Sequence, residues 1–206
     1  MMDYFNLLGQ PRCPWLDADI LKQSFLALSS QHHPDRVHSV SGAGTQAASV
    51  RFVELNSAYQ CLREPRTRLQ HLLELERGSK PGGIERTPSE VMELFMQVGR
   101  LCRDVDGFLS DRNNTASPLL KARLFERGME WTDKLNQLQQ VLSARLTDLD
   151  ARLKAMNGEW QAAPEIGRAD RPAALPLETL EDAYRALSYL SKWTAQLRER
   201  VVQLSL

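Results

Sequence analysis

Two adjacent histidines, a proline, an aspartate and an arginine stand together in "SSQHHPDRVHS", residues 29–39, where an amphipathic segment ends. Proline fixes its own φ, lacks an N–H and pushes the preceding residue out of the helical region. A helix arriving at His33 therefore stops, and His33, Pro34, Asp35 and Arg36 are displayed on a rigid polar corner suited to touching a partner. Imidazole and carboxylate also suit zinc. Yet His32, His33, Asp35 and His38 crowd one turn, and no second ligand pair follows at a finger-like spacing. Ser29 and Ser30 lie near His33 without an oxyanion loop or an ordering acid, and neither a Gly-rich phosphate cradle nor a paired-carboxylate cleft is visible. We expect no catalytic residue, no metal site and no cofactor, and read the chain as not an enzyme.

The totals narrow the partners. Over 206 residues, 26 Lys+Arg balance 26 Asp+Glu, which lacks the basic footprint that duplex nucleic acid requires. No segment approaches eighteen uninterrupted apolar residues, and "MMDYFNLLGQ" has no apolar run behind a basic stretch. The expectation is a cytoplasmic or similarly reducing compartment, with no nucleic acid and no membrane as partner. Cys13, Cys61 and Cys102 are odd in number and widely spaced, which favours small apolar fillers over a disulfide framework or a metal site.

Helical spacing recurs almost everywhere and strand signals are nearly absent, so the expected fold is all-α. Asp17 reads as the N-cap of a helix over about 18–32, with Ile20, Leu21, Phe25 and Leu28 as its apolar stripe. A Ser/Gly/Ala-rich loop, "VHSVSGAGTQAAS", precedes a helix over about 48–63 with Phe52, Leu55, Tyr59 and Leu62 on one face. The two stripes predict an antiparallel pair. Pro65 breaks the chain, and "RTRLQHLLEL" supplies a further short helix. Three glycines and two prolines in "RGSKPGGIERTP", residues 77–88, mark a linker. Beyond it, helices over 89–109 and about 117–157, a breaker from Gly158, and a helix over about 177–204 predict a three-helix bundle. Trp131, Trp160 and Trp193 read as packing residues, and the Lys and Arg of 121–154 as a solvated face.

Four features occur in order: "DYFNLLG" at 3–9, a helix running into "HPD" at 33–35, "ELNSAYQCL" at 54–62 and "EPRTR" at 64–68. Together they resemble a J-domain, the module by which DnaJ-type co-chaperones engage DnaK-type ATPases, over about residues 2–76. The wider layout, with a J-domain first, "EPRTRLQHLLEL" leading into a leucine-rich helix, no Gly/Phe linker or cysteine repeat, and a closing "LETLEDAYRALSYLSKWTAQLRERVVQL", resembles the HscB family of iron-sulfur cluster assembly co-chaperones. The implied domains are 1–76 as J-domain, 77–88 as linker and 89–206 as a C-terminal helical bundle.

The resemblance implies roles for the matching residues. His33, Pro34 and Asp35 would stimulate ATP hydrolysis by a DnaK- or HscA-type chaperone, with Arg36 and Lys22 in the same contact and Asp35 accepting charge-assisted bonds from an arginine of the ATPase. Val91, Met92 and Phe95, with Tyr189 from the last helix, would bind an IscU-type iron-sulfur scaffold protein, although for these residues burial in the bundle core is the competing reading. Two departures stand out. Where the family's first C-terminal helix carries glutamates, this chain has Met96, Gly99 and Arg103, and the helix before HPD, usually rich in Lys and Arg, carries Lys22 with Gln23 and Gln31. An unrelated client, or a helical scaffold with a vestigial HPD, are the alternative readings.

Overall fold

Carboxylates open the first helices, as short acceptors at N-caps do elsewhere. In the computed structural model, which describes residues 1–32, 42–82, 89–114 and 118–205, Asp3 Oδ1 accepts from the N–H groups of Phe5 and Asn6 (3.0 and 3.2 Å) to start α1, Tyr4–Leu7. Asp17 Oδ1 accepts from Asp19 and Ile20 (2.9 and 3.1 Å) to start α2, Ala18–Gln31, as expected. Then come α3, Gly42–Arg63, and α4, Pro65–Arg77, which has proline at its first turn and Gly78 at φ +74° ending it. They are followed by α5, Ser89–Asn113, α6, Pro118–Ala162, α7, Arg171–Ala174, and α8, Leu177–Ser205. The protein is all-α, and no strand occurs among the described residues.

Two boundaries differ from expectation. The backbone is already helical from Gly42, six residues before the anticipated start. Alanine and glutamine favour helix enough to offset the cost of Gly42 and Gly44 at about 1 kcal/mol each, and Ala48 is buried. At the other breaker, α6 passes through Gly158 to Ala162, because Trp160 is buried there and a buried indole outweighs one glycine. Ile20 also leaves its expected stripe: it is 57% exposed, since Leu21, Phe25 and Leu28 already form an i, i+4, i+7 face and Ile20 stands about 100° off it.

The chain forms two compact units, Met1–Gly82 with Asp150–Tyr184, and Gly83–Leu149 with Arg185–Leu206. In the first, α3 is the centre: α1, α2 and α4 all pack on it. Leu55, Ala58 and Leu62 of α3 are fully buried with Phe5, Leu8 and Leu21, and Phe25 of α2 stacks on Tyr59 of α3 at 4.3 Å. These contacts make the helical hairpin. The last carbonyls of α3, which lack partners within the helix, are met by the turn that follows. Thr67 Oγ1 donates to Cys61 O (2.6 Å) and Arg68 Nη1 to Leu62 O (2.8 Å), while Arg68 Nε reaches Pro14 O (2.9 Å). "EPRTR" is thus a structural clasp. Burial pushes the thiols of Cys13 and Cys61 up to about 11, and all three cysteines are free.

Residues far apart in sequence complete this unit. The side-chain amide of Asn157 pairs with the backbone of Trp15 in both directions, accepting from its N–H (3.0 Å) and donating to its carbonyl (2.9 Å). Trp15 Nε1 donates to Asp150 (3.1 Å), and Lys154 Nζ lies 4.6 Å from the centre of its ring. Buried Glu76 takes a bidentate fork from Arg171 (2.8 and 3.0 Å), which also donates to Pro164 O (2.6 Å). Arg77 donates to Glu181, which also accepts from Gly82 N–H (3.2 Å).

His71 lies under the N-terminus, accepting the Tyr4 N–H at Nε2 (3.1 Å) between the rings of Tyr4 and Phe5. Burial lowers its affinity for protons below the ordinary value near 6.5, against the opposing pull of Asp3 and Glu74 and with help from Arg12. The unfolded chain therefore binds the proton more tightly, so the stabilisation is complete above pH 6.5 and is lost as pH falls through the lower folded value. We expect the urea midpoint to drop between pH 7.5 and 5 and the His71→Gln protein, which keeps an acceptor, to lose part of that drop. Parallel titrations of the two proteins would contradict this.

In the second unit, Val98, Val105 and Phe108 of α5, Leu135, Leu138 and Leu142 of α6, and Leu187, Leu190, Trp193 and Leu197 of α8 form the core. Arg112 of α5 donates to the final carbonyls of α8, Gln203 and Leu204 (2.8 and 3.0 Å), and Arg200 of α8 reaches Asp106 (2.7 Å).

Candidate functional site

The first candidate surface is α2. Lys22 is exposed on its outer face, and Ile20 and Leu26 stand exposed on the same helix. His32 closes α2, its N–H donating to Ser29 O (3.2 Å). The helix therefore ends one residue before HPD, where the proline argument places its end. His33, Pro34, Asp35 and Arg36, like His38, lie outside the described residues.

The second surface is built from α5 and α8. Val91 is buried and lies in the core, whereas Met92 and Phe95 are 46% and 44% exposed. Tyr189 is half-buried on α8. Phe95 and Tyr189 do meet at one place, through Trp193, whose ring centre is 6.2 Å from that of Phe95 and 5.4 Å from that of Tyr189. Trp193 is itself buried. A half-exposed aromatic pair resting on a buried indole is a firm apolar platform of the kind that partner surfaces use. Met96, 58% exposed, enlarges it. Trp193 packs as expected, and what the sequence did not give is that it does so beneath Phe95; its i, i+4 spacing from Tyr189 was the available signal. Met96 was noted only as a departure from a pattern.

With a short capped N-terminal helix, a helical hairpin and a proline-started fourth helix in place, likeness to known proteins can be judged. The DnaJ domain family model matches residues 3–71. Residues 3–71 belong to the DnaJ domain family. A "Co-chaperone protein HscB homolog" of Aliivibrio salmonicida (strain LFI1238) is 28% identical over 171 residues, 70% of this chain and 99% of the relative. Among solved structures, chaperone HscB from Vibrio cholerae matches with a TM-score of 0.56 at 23% identity, covering 98% of this chain and 99% of that one. Human co-chaperone protein HscB matches with a TM-score of 0.57 at 15% identity, covering 98% and 81%. The chain thus shares the HscB fold along nearly its whole length, and relatives of its kind are named co-chaperones. Among its described residues, no helix is long and apolar enough to cross a membrane.

Proposed function

We propose that this protein is a co-chaperone of iron-sulfur cluster assembly that works through two contacts. The observation that carries the reading is the combination of a DnaJ domain at residues 3–71 with an HscB-like fold over 98% of the chain. Residues 1–76 bind a DnaK- or HscA-type ATPase in its ATP state, with His33, Pro34 and Asp35 triggering hydrolysis and Lys22 and Arg36 at the edge of the contact. Beyond the linker of 77–88, the region 89–206 holds an IscU-type scaffold protein against Met92, Phe95 and Tyr189, with Val91 supporting them from below. The exposure of Met92 and Phe95 supports this use of the face. Joining the two contacts on one chain raises the effective concentration of the second to about the millimolar range, so delivery works even when each contact is weak. The protein has no catalytic chemistry of its own in this scheme and works in a cytoplasmic or equivalent compartment.

Single-turnover ATP hydrolysis by the chaperone provides the test. Adding the full chain should speed hydrolysis, and adding it together with an IscU-type scaffold should speed it further than the two separate effects combined. Stimulation without synergy would favour a J-domain protein that recruits another client, the reading to which Gly99 and Arg103 lend weight. No stimulation at any concentration would remove the co-chaperone reading.

A further inference from the structure

Along α5, Met92, Phe95, Met96, Gly99 and Arg103 stand at i, i+3, i+4, i+7 and i+11 and share one face. Arg103 Nη1 lies 3.6 Å from the point where a Cβ on Gly99 would stand. That is ordinary contact distance, and it shows the guanidinium lying back along the helix over Gly99, the direction helical side chains take. On the other side of Met96 runs a groove of about 400 Å³, lined by Arg100, Asp104, Trp131, Lys134 and Leu138. Lys134 Nζ sits 4.3 Å from the centre of the Trp131 ring. Arg100, Arg103 and Lys134 are all exposed, and among the described residues Arg100 and Arg103 form no ion pair. Of the nearby carboxylates, Glu93 accepts from Gln97 (3.1 Å) and Asp106 is taken by Arg200 (2.7 Å). Among the described residues that line the groove, Asp104 is the one carboxylate.

An exposed apolar platform followed by two guanidinium groups that form no ion pair among the described residues, and by an ammonium held on an indole, is half of a charge-complementary interface. We propose that this face docks a partner protein presenting an apolar side chain to Phe95 and Met96 and carboxylates beside it to Arg100, Arg103 and Lys134. The inference rests on the reading of this face as the scaffold contact and adds to it the sign of the partner's charge: the scaffold segment that binds here is acidic.

Binding of the full chain to the IscU-type scaffold of the same cell, measured by calorimetry at 50 and 500 mM salt, tests the assignment. Affinity should fall by about 10-fold between the two salts, because interactions among exposed charges are screened. The Arg100→Glu/Arg103→Glu protein should bind about 10-fold more weakly at low salt and lose most of the salt dependence, with an unchanged thermal midpoint. Lys134→Glu, on a separate helix, should move affinity the same way. Phe95→Ala should weaken binding equally at both salts. If Phe95→Ala weakens binding while charge reversal and salt leave it unchanged or tighten it, the scaffold reading stands and the acidic partner is overturned. If the native chain does not bind the scaffold at either salt, both fall.

Discussion

Replacing Glu76 by alanine should destabilise the protein by about 3–5 kcal/mol, the cost of leaving the opposite charge of a buried ion pair without its partner. The side chains of Glu76 and Arg171 retain only 2% and 7% of their accessibility, and their two parallel bonds of 2.8 and 3.0 Å satisfy both carboxylate oxygens. Removing Glu76 leaves the guanidinium with Pro164 O alone among these contacts. Arg12 also stands 3.9 Å from Glu76 while holding Asp3 at 2.9 Å, so the network reaches the cap of α1. Since domains are stable by only about 5–15 kcal/mol, this one change removes a large share. The midpoint of urea unfolding, followed by helical circular dichroism, should fall clearly. A loss below about 1 kcal/mol would mean that water reaches Arg171 and that the pair is not the clasp described. The double replacement Glu76→Leu/Arg171→Met should recover most of the loss, because exchanging a buried pair for apolar groups of similar volume is often neutral or stabilising.

His33→Gln should abolish stimulation of the ATPase while leaving the fold intact. The motif follows the end of α2, which Pro34 does not allow to continue, so a polar substitution there leaves α2 in place. Truncating one side of a hydrogen-bonded charge pair at an interface costs about 2–5 kcal/mol, which corresponds to at least roughly 30-fold in the response. Asp35→Asn should do the same, since it removes the charge that an arginine of the ATPase would meet. Single-turnover hydrolysis and the thermal midpoint should be measured together. Full stimulation by either substituted protein at an unchanged midpoint would show that the corner is not what drives hydrolysis.

Much of the local architecture could be read from neighbouring residues. Asp17 caps α2 because a carboxylate one position before the helix reaches the free N–H groups of its first turn. Pro65 opens α4 because the N–H it lacks would have no partner at that position anyway. Leu135, Leu138, Leu142, Leu149 and Leu153 are buried along one side of α6 because a period near 3.6 fixes which side chains share a face. The apolar platform was expected from the resemblance to the HscB family, with burial in the core as the competing reading; Val91 went to the core while Met92, Phe95 and Met96 stand exposed.

Only the folded chain decided which stretches meet. Nothing within a few residues of Trp15 announces that its backbone will be matched by the amide of Asn157, 142 positions later, or that Glu76 will find Arg171 across 95. Periodicity assigns an apolar face to each helix but is blind to which partner covers it, and for that reason Ile20 was placed inside when Leu21 and Phe25 had already filled the contact with α3. Trp193 was expected to pack and does, but which aromatics it supports, Phe95 and Tyr189, came only with the fold. Short-range sterics and hydrogen bonding, which act along the chain, determined the helices and their ends; desolvation, which acts between segments regardless of their separation, determined the buried charges and the shape of the surface beside them.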